Sequence, residues 1–259
     1  MAQFLSRTME EVRPFLASNG GPVIVLQIEN EYGNIEQYYG DDGKKYAQWA
    51  ADLVKGMNTG LPIAMCQQQG VIGVIETCNG FYCDPHDPGL PYPSLFTEAW
   101  SGWFQAADGS PGHRPASDLA YAIAKFVAEG GTMWNYYMLQ GGTNFGRTAG
   151  ASIATSYDYD APISEWGFPR QPKYNLLQRL HAVLHKYEPA IVENEPLQWW
   201  SQAVHAMPGL SVHPYGGKVI FLVNANTTMN YTYSVNCTGF AKKIYVPLWS
   251  VSIVDGKSC

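Results

Sequence analysis

The sequence predicts an α/β fold: part of a (β/α)8 TIM barrel, strands 4–8 of the eight, followed by the start of a β-rich domain. Three observations predict it. Short, continuous apolar runs alternate with amphipathic helical stretches. Several of those runs end in polar or acidic residues, as the strands of a parallel barrel do at its active face. Beyond about residue 190 the helical pattern stops and short strand-like segments take over. The expected division is therefore residues 1–190 for the C-terminal part of a barrel and 191–259 for the start of a small β-domain.

Residues 3–17 have helical periodicity with Pro14 as a kink, stopped by Ser18-Asn19-Gly20-Gly21. PVIVLQIENEYG is an apolar run of the kind that forms a strand buried on both faces. Asp41 to Met57 reads as a helix with Ala47, Ala50, Ala51 and Val54 on its apolar side. Strands are expected at Leu61–Cys66, Val74–Thr77 and Leu95–Glu98, with a Gly- and Pro-rich loop from Asn79 to Pro93. A helix over 117–128 would be capped by Ser117 or Asp118. Thr132–Met138 is a fifth strand, and a helix is expected at about 174–186. The later strands are read at Lys218–Asn224, Tyr231–Val235 and Ile244–Val254. Five strands where a full barrel has eight imply that the first three lie outside this chain.

Composition narrows the function. Hydrophobic residues are 46% and charged residues 15%, a core-forming balance. The net charge of -6 offers no basic face, so no nucleic-acid partner is expected. No apolar run is long enough to span a bilayer, and no membrane partner is expected. The N-terminal MAQFLSRTMEEVRPFL does not read as a signal peptide. Yet three N-x-S/T sequons, at Asn226, Asn230 and Asn236, point toward the secretory pathway. Cys78 and Cys83 bracket Asn79–Tyr82 and are expected to close a small disulfide loop. His86 follows closely, but no second ligand pair completes a zinc pattern, so no metal is expected. Gly141-Gly142 lacks a following Gly-Lys-Ser/Thr, which argues against a phosphate loop. Most of the aromatic residues, 14% of the chain, belong to core packing, and some could stack on sugar rings.

Two carboxylates stand out at the ends of buried strands. Strict alternation in QIENEYG puts Gln27, Glu29 and Glu31 on one face, with Glu31 nearest the C-terminal mouth. Glu98 in LFTEAWSGW has the matching place on a later strand. A buried carboxylate is costly unless it is hydrogen-bonded or paired. Two of them at one barrel mouth suit glycoside hydrolysis, where one protonates the leaving oxygen and the other attacks the anomeric carbon. Alternation does not separate Glu31 from Glu29, and Glu76 also ends an expected strand.

QIENEYG, TEAWSGW, NYYMLQGGTNFGRTAG and TSYDYDAP together resemble glycoside hydrolase family 35 β-galactosidases, and TCNGFYCD and PLWSVSIV resemble the plant-type members. The resemblance covers nearly the whole chain in the family's order. It implies a retaining exo-β-galactosidase that releases terminal non-reducing β-D-galactose without a cofactor. The family's acid/base follows an Asn, which selects Glu31 over Glu29, and Glu98 matches the nucleophile. Asn30 would hold the sugar 2-hydroxyl, and Tyr137 and Tyr159 would line the galactose pocket. Asp158 and Asp160 are assigned to shaping their loop. The resemblance also implies N- and C-terminal truncation relative to full-length members, and a parent enzyme in the extracellular space, cell wall or vacuole/lysosome. Two alternatives stand: an inactive fragment or galactose-binding remnant of such an enzyme, and another paired-glutamate hydrolase such as a β-glucosidase or mannanase. The first expects this chain alone to be poorly soluble and weakly active.

Overall fold

A computed structural model of the chain describes residues 25–30, 35–58, 60–81, 89, 92–110, 112–150, 153–194, 202–237 and 240–256. The expected helix over 3–17, Glu31, Cys83 and His86 lie outside these residues. The chain divides into two compact units, residues 1–79 with 83–97, and residues 80–82 with 98–259.

In the first unit β1 (Leu26–Glu29), α1 (Ile35–Gly56), β2 (Ile63–Cys66) and β3 (Ile75–Gly80) follow in order. β1 pairs in parallel with β2, and β2 in parallel with β3. Parallel neighbours need a crossover, and α1 supplies the first one. Helical φ/ψ are interrupted at Gly40, so the regular part of α1 begins where the sequence placed it. Ala47, Ala50, Ala51 and Val54 recur at helical spacing and pack with Ile63, Met65 and Val74, with Leu26 and Ile28 against them. Small side chains on the helix let it lie close to the sheet.

One feature of β1 was not legible in its pattern. The register runs Leu26↔Ile63, Gln27↔Ala64 and then Glu29↔Met65, so one extra residue is accommodated at Ile28. A bulge of this kind breaks strict alternation. Counting by twos from Gln27 therefore does not give the face of the residues that follow. β3 is also longer than expected. Glu76 is its second residue, in register with Met65, and not its end.

β4 (Leu95–Trp100) leads from the first unit into the second, and its first five residues are buried. The second unit continues with α2 (Ala116–Ala128), β5 (Met133–Tyr137) and α3 (Lys173–Val192). The five-stranded sheet has the order β1-β2-β3-β4-β5, which is sequence order. Among the described residues helices follow β1, β4 and β5, and strands in sequence order with such helices fit a partial (β/α) barrel. α2 departs from expectation at its start. Pro115 occupies the cap position with no side-chain cap, and neither Ser117 nor Asp118 serves as one. Proline presets φ for the helix start, which leaves the Asp118 carboxylate for other partners.

After α3 come β6 (Gln202–Ala203), β7 (Leu210–Tyr215), β8 (Val219–Asn224), β9 (Tyr231–Cys237), β10 (Phe240–Val246) and β11 (Ser250–Asp255). β11-β8-β7-β6 form an antiparallel sheet, and β9 and β10 form a hairpin. Leu210, Val212, Leu222, Val235, Val246 and Val254 make their core. The strand read as Ile244–Val254 is two strands, divided at Pro247-Leu248-Trp249, where Trp249 takes a positive φ. β7 went unread because Pro214 lies within it. Among the described residues β6 pairs with Val212 and Ser211. The boundary expected at 190/191 falls inside the second unit, in the last turn of α3.

Candidate active site

Glu98 is the fourth residue of β4 and only 5% exposed. Burial on both faces of a central strand gives its carboxylate no water, so a donor must be supplied. Trp100, two residues along and therefore on the same face, supplies one. Its Nε1–H donates to Glu98 Oε2 at 2.7 Å.

From Trp100 an aromatic series runs outward. Trp100 meets Phe81 edge-on at 5.1 Å and Trp103 at 4.5 Å between ring centroids. Trp103 meets Phe104 at 5.5 Å, Phe104 meets Tyr157 at 5.8 Å, and Tyr157 meets Tyr137 edge-on at 5.9 Å. The Tyr137 hydroxyl donates to that of Tyr157 at 3.3 Å. The series thus joins Glu98, through Trp100, to Tyr137 at the end of β5. Such a wall presents apolar faces and polar edges, the chemistry that suits the C–H and O–H groups of a sugar.

Tyr159 is placed differently. Its hydroxyl oxygen accepts the Ser156 N–H at 3.1 Å, closing the loop that carries it. Tyr157, which sequence reasoning passed over, is the member of that motif in the aromatic series.

Beneath this wall lies a buried charge network. Arg114 is 5% exposed and Lys173 4% exposed. Arg114 Nη1 donates to the Trp100 carbonyl, Nη2 to the Phe81 carbonyl at 3.3 Å and Nε to Asp118 Oδ2 at 2.8 Å, and its guanidinium lies 4.8 Å from the Phe81 ring centroid. Lys173 Nζ donates to the carbonyls of Ser101 and Asp160, each at 2.7 Å, and to Asp160 Oδ2 at 2.5 Å. Two successive carbonyls at the end of the Glu98 strand are therefore each held by a buried cation. Asp160 Oδ2 also accepts the backbone N–H of Arg114 at 2.7 Å, while Oδ1 meets His113 Nδ1 at 2.9 Å. Asp158 Oδ1 accepts the Asp160 N–H at 2.8 Å. Burial pushes the Asp158 carboxyl above the usual range, and burial pulls the Lys173 ammonium below its usual value, with Asp160 opposing. Both aspartates thus shape and brace their loop.

Sequence reasoning missed Arg114 and Lys173, although a signal existed for Lys173. A cation opening a helix opposes the helix dipole, so a lysine at the first position of α3 is there for another reason.

In the first unit Asn30 follows β1 directly. Its Oδ1 accepts from Gln27 Nε2 and from Asn79 Nδ2, both at 2.8 Å. Asn79 Oδ1 accepts from Thr97 Oγ1 at 2.8 Å, and Thr97 and Thr77 share a buried hydroxyl bond of 2.8 Å. A polar chain thus runs from Asn30 to β3 and β4, and Asn79 is its unforeseen link. Cys78 is disulfide-bonded; Glu31 and Cys83 are beyond the described residues.

A model of the family described as Glycosyl hydrolases family 35 matches residues 1–184. Beta-galactosidase 6 of Oryza sativa subsp. japonica is 43% identical over 262 residues, which is 98% of this chain and 30% of that protein. Beta-galactosidase 8 of Arabidopsis thaliana is 45% identical over 242 residues, covering 92% of this chain and 28% of its own. Probable beta-galactosidase 2 of Dictyostelium discoideum is 43% identical over 235 residues, covering 85% and 30%. The chain thus spans 28–30% of the length of these relatives.

Proposed function

This chain belongs to glycosyl hydrolases family 35, and from that premise we propose that it carries both catalytic carboxylates of a retaining exo-β-galactosidase. Glu98 is the nucleophile and Glu31 the acid/base. Glu31 protonates the glycosidic oxygen while Glu98 attacks the anomeric carbon, and the aglycone leaves. Glu31 then takes a proton from water, which attacks the same carbon and releases galactose with its β configuration and a free Glu98. Asn30 binds the sugar 2-hydroxyl, and Tyr137 and Tyr159 line the pocket. No cofactor takes part, and the partner is a β-galactoside rather than nucleic acid or membrane.

The observation that carries this reading is Glu98 itself. It is a buried carboxylate on a parallel strand, with one oxygen held by an indole N–H and an aromatic wall leading away from it. β1–β5 are read as barrel strands 4–8, and residues 191–259 as the start of a β-domain. Cys78 pairs with Cys83. The sequons support passage through the secretory pathway to the cell exterior, wall or vacuole/lysosome. Among them Asn236 and Asn230 are exposed, whereas Asn226 Nδ2 is engaged with Pro208 O and Tyr231 Oη.

The test is Glu98→Gln assayed on an aryl β-galactoside. Turnover is expected to fall by several orders of magnitude; near-wild-type turnover would overturn the nucleophile assignment. NMR should show β-galactose as the first product, and α-galactose would refute retention. Aryl glucoside or mannoside turnover matching that of the galactoside would overturn the specificity.

A further inference from the structure

We propose that Trp100 is a positioning residue for the nucleophile: its indole N–H fixes one oxygen of Glu98 so that the other faces the anomeric carbon. The inference rests on the assignment of Glu98 as nucleophile.

The side chain suits that task. An indole donates one hydrogen bond and accepts none, and it does not ionise near neutral pH. A hydroxyl in its place could rotate and accept instead. A carboxylate held at Oε2 by a 2.7 Å bond has its torsion fixed before substrate arrives. Attack then needs no further ordering of the nucleophile, which is the gain that pre-positioning offers.

The support behind Trp100 is equally specific. Its carbonyl is held by Arg114, and the next carbonyl, that of Ser101, by Lys173. Its ring is wedged between Phe81 and Trp103, and Phe81 lies in turn against the Arg114 guanidinium. Ser101 N donates to the Tyr137 carbonyl at 3.2 Å, tying this strand end to the end of β5. Buried cations are costly to place, and here one holds the carbonyl of Trp100, the residue that touches Glu98, and the other the carbonyl of Ser101 next to it. A wall residue alone would need packing on its ring but no such grip on its backbone.

The experiment separates the N–H from the ring. In the full chain, Trp100 is replaced by Phe and, separately, by its benzothiophene analogue, in which sulfur stands where the Nε1–H was. Each is reacted with 2,4-dinitrophenyl 2-deoxy-2-fluoro-β-galactoside, which stalls after attack. The limiting inactivation rate then reads the attack step, and the dinitrophenolate burst counts competent sites. The limiting rate is expected to fall roughly 10- to 100-fold in both variants. Half-saturation should stay within about threefold, and the burst amplitude and melting temperature of the analogue should match wild type. An analogue that reacts at the wild-type rate overturns the proposal, whether or not Trp100→Phe is slow. A slow rate accompanied by an equal loss of burst amplitude also overturns it, because that is loss of folded sites. Glu98→Gln run alongside should give no burst; a burst there would instead overturn the nucleophile assignment.

Discussion

Asp160→Ala is expected to destabilise the protein by about 3–5 kcal/mol, the usual cost of leaving one partner of a buried ion pair alone. The Asp160 carboxylate has three partners. His113 is largely exposed, so its loss costs little. The Arg114 N–H is partly buried and loses an acceptor. Lys173 dominates, because its side chain is 5% exposed and the carboxylate 2.5 Å away is its ion-pair partner. The two carbonyls it keeps, those of Ser101 and Asp160, place the effect toward the lower end, about 3 kcal/mol. For a unit of this size that corresponds to a melting temperature lower by about 6–12 °C. Urea unfolding followed by tryptophan fluorescence measures it. The double variant Asp160→Ala/Lys173→Met should recover about 1–3 kcal/mol, since it removes the stranded charge. A single-variant loss below about 1 kcal/mol, or a double variant no more stable than the single, would refute the reasoning.

Two further outcomes follow from buried titrating groups. His213, buried on β7 with Lys125 nearby, is held down to about 4 by burial first and Lys125 second. An unfolded histidine titrates near about 6.5, so the folded state binds fewer protons between those values. Its contribution of about 3 kcal/mol is complete above about pH 6.5 and is lost as pH falls through 4. His213→Gln should flatten the acid limb of the stability–pH curve, and an unchanged limb would count against this. Asp158, raised mainly by burial, has the opposite sign. The folded carboxyl holds its proton to higher pH than the unfolded one, so stability declines as pH rises from about 3.9 through the folded value. Asp158→Asn keeps an acceptor for the Asp160 N–H and should gain stability over wild type more at pH 7 than at about pH 4; equal gains at both would contradict it.

The sequence by itself determined the alternation of strands and helices, because burial on both faces requires continuous apolar runs and a one-sided helix requires period 3.6. The Ala47, Ala50, Ala51 and Val54 stripe and the buried run around Glu98 are direct readings of that kind. It also offered Glu98 as a candidate, since an acid inside an apolar run calls for a reason. What it could not reach depends on register and on groups distant along the chain. The bulge at Ile28 changes facing without changing composition. Pro214 obscured β7, because a proline inside a run argues against a strand until pairing is seen. Glu76 lost its place at a strand end only when pairing carried β3 to Gly80. The grip of Arg114 and Lys173 on the carbonyls of Trp100 and Ser101 joins residues 14 and 72 positions apart. Desolvation makes such cations costly and therefore meaningful, yet burial belongs to the fold, so only the tertiary structure could single them out.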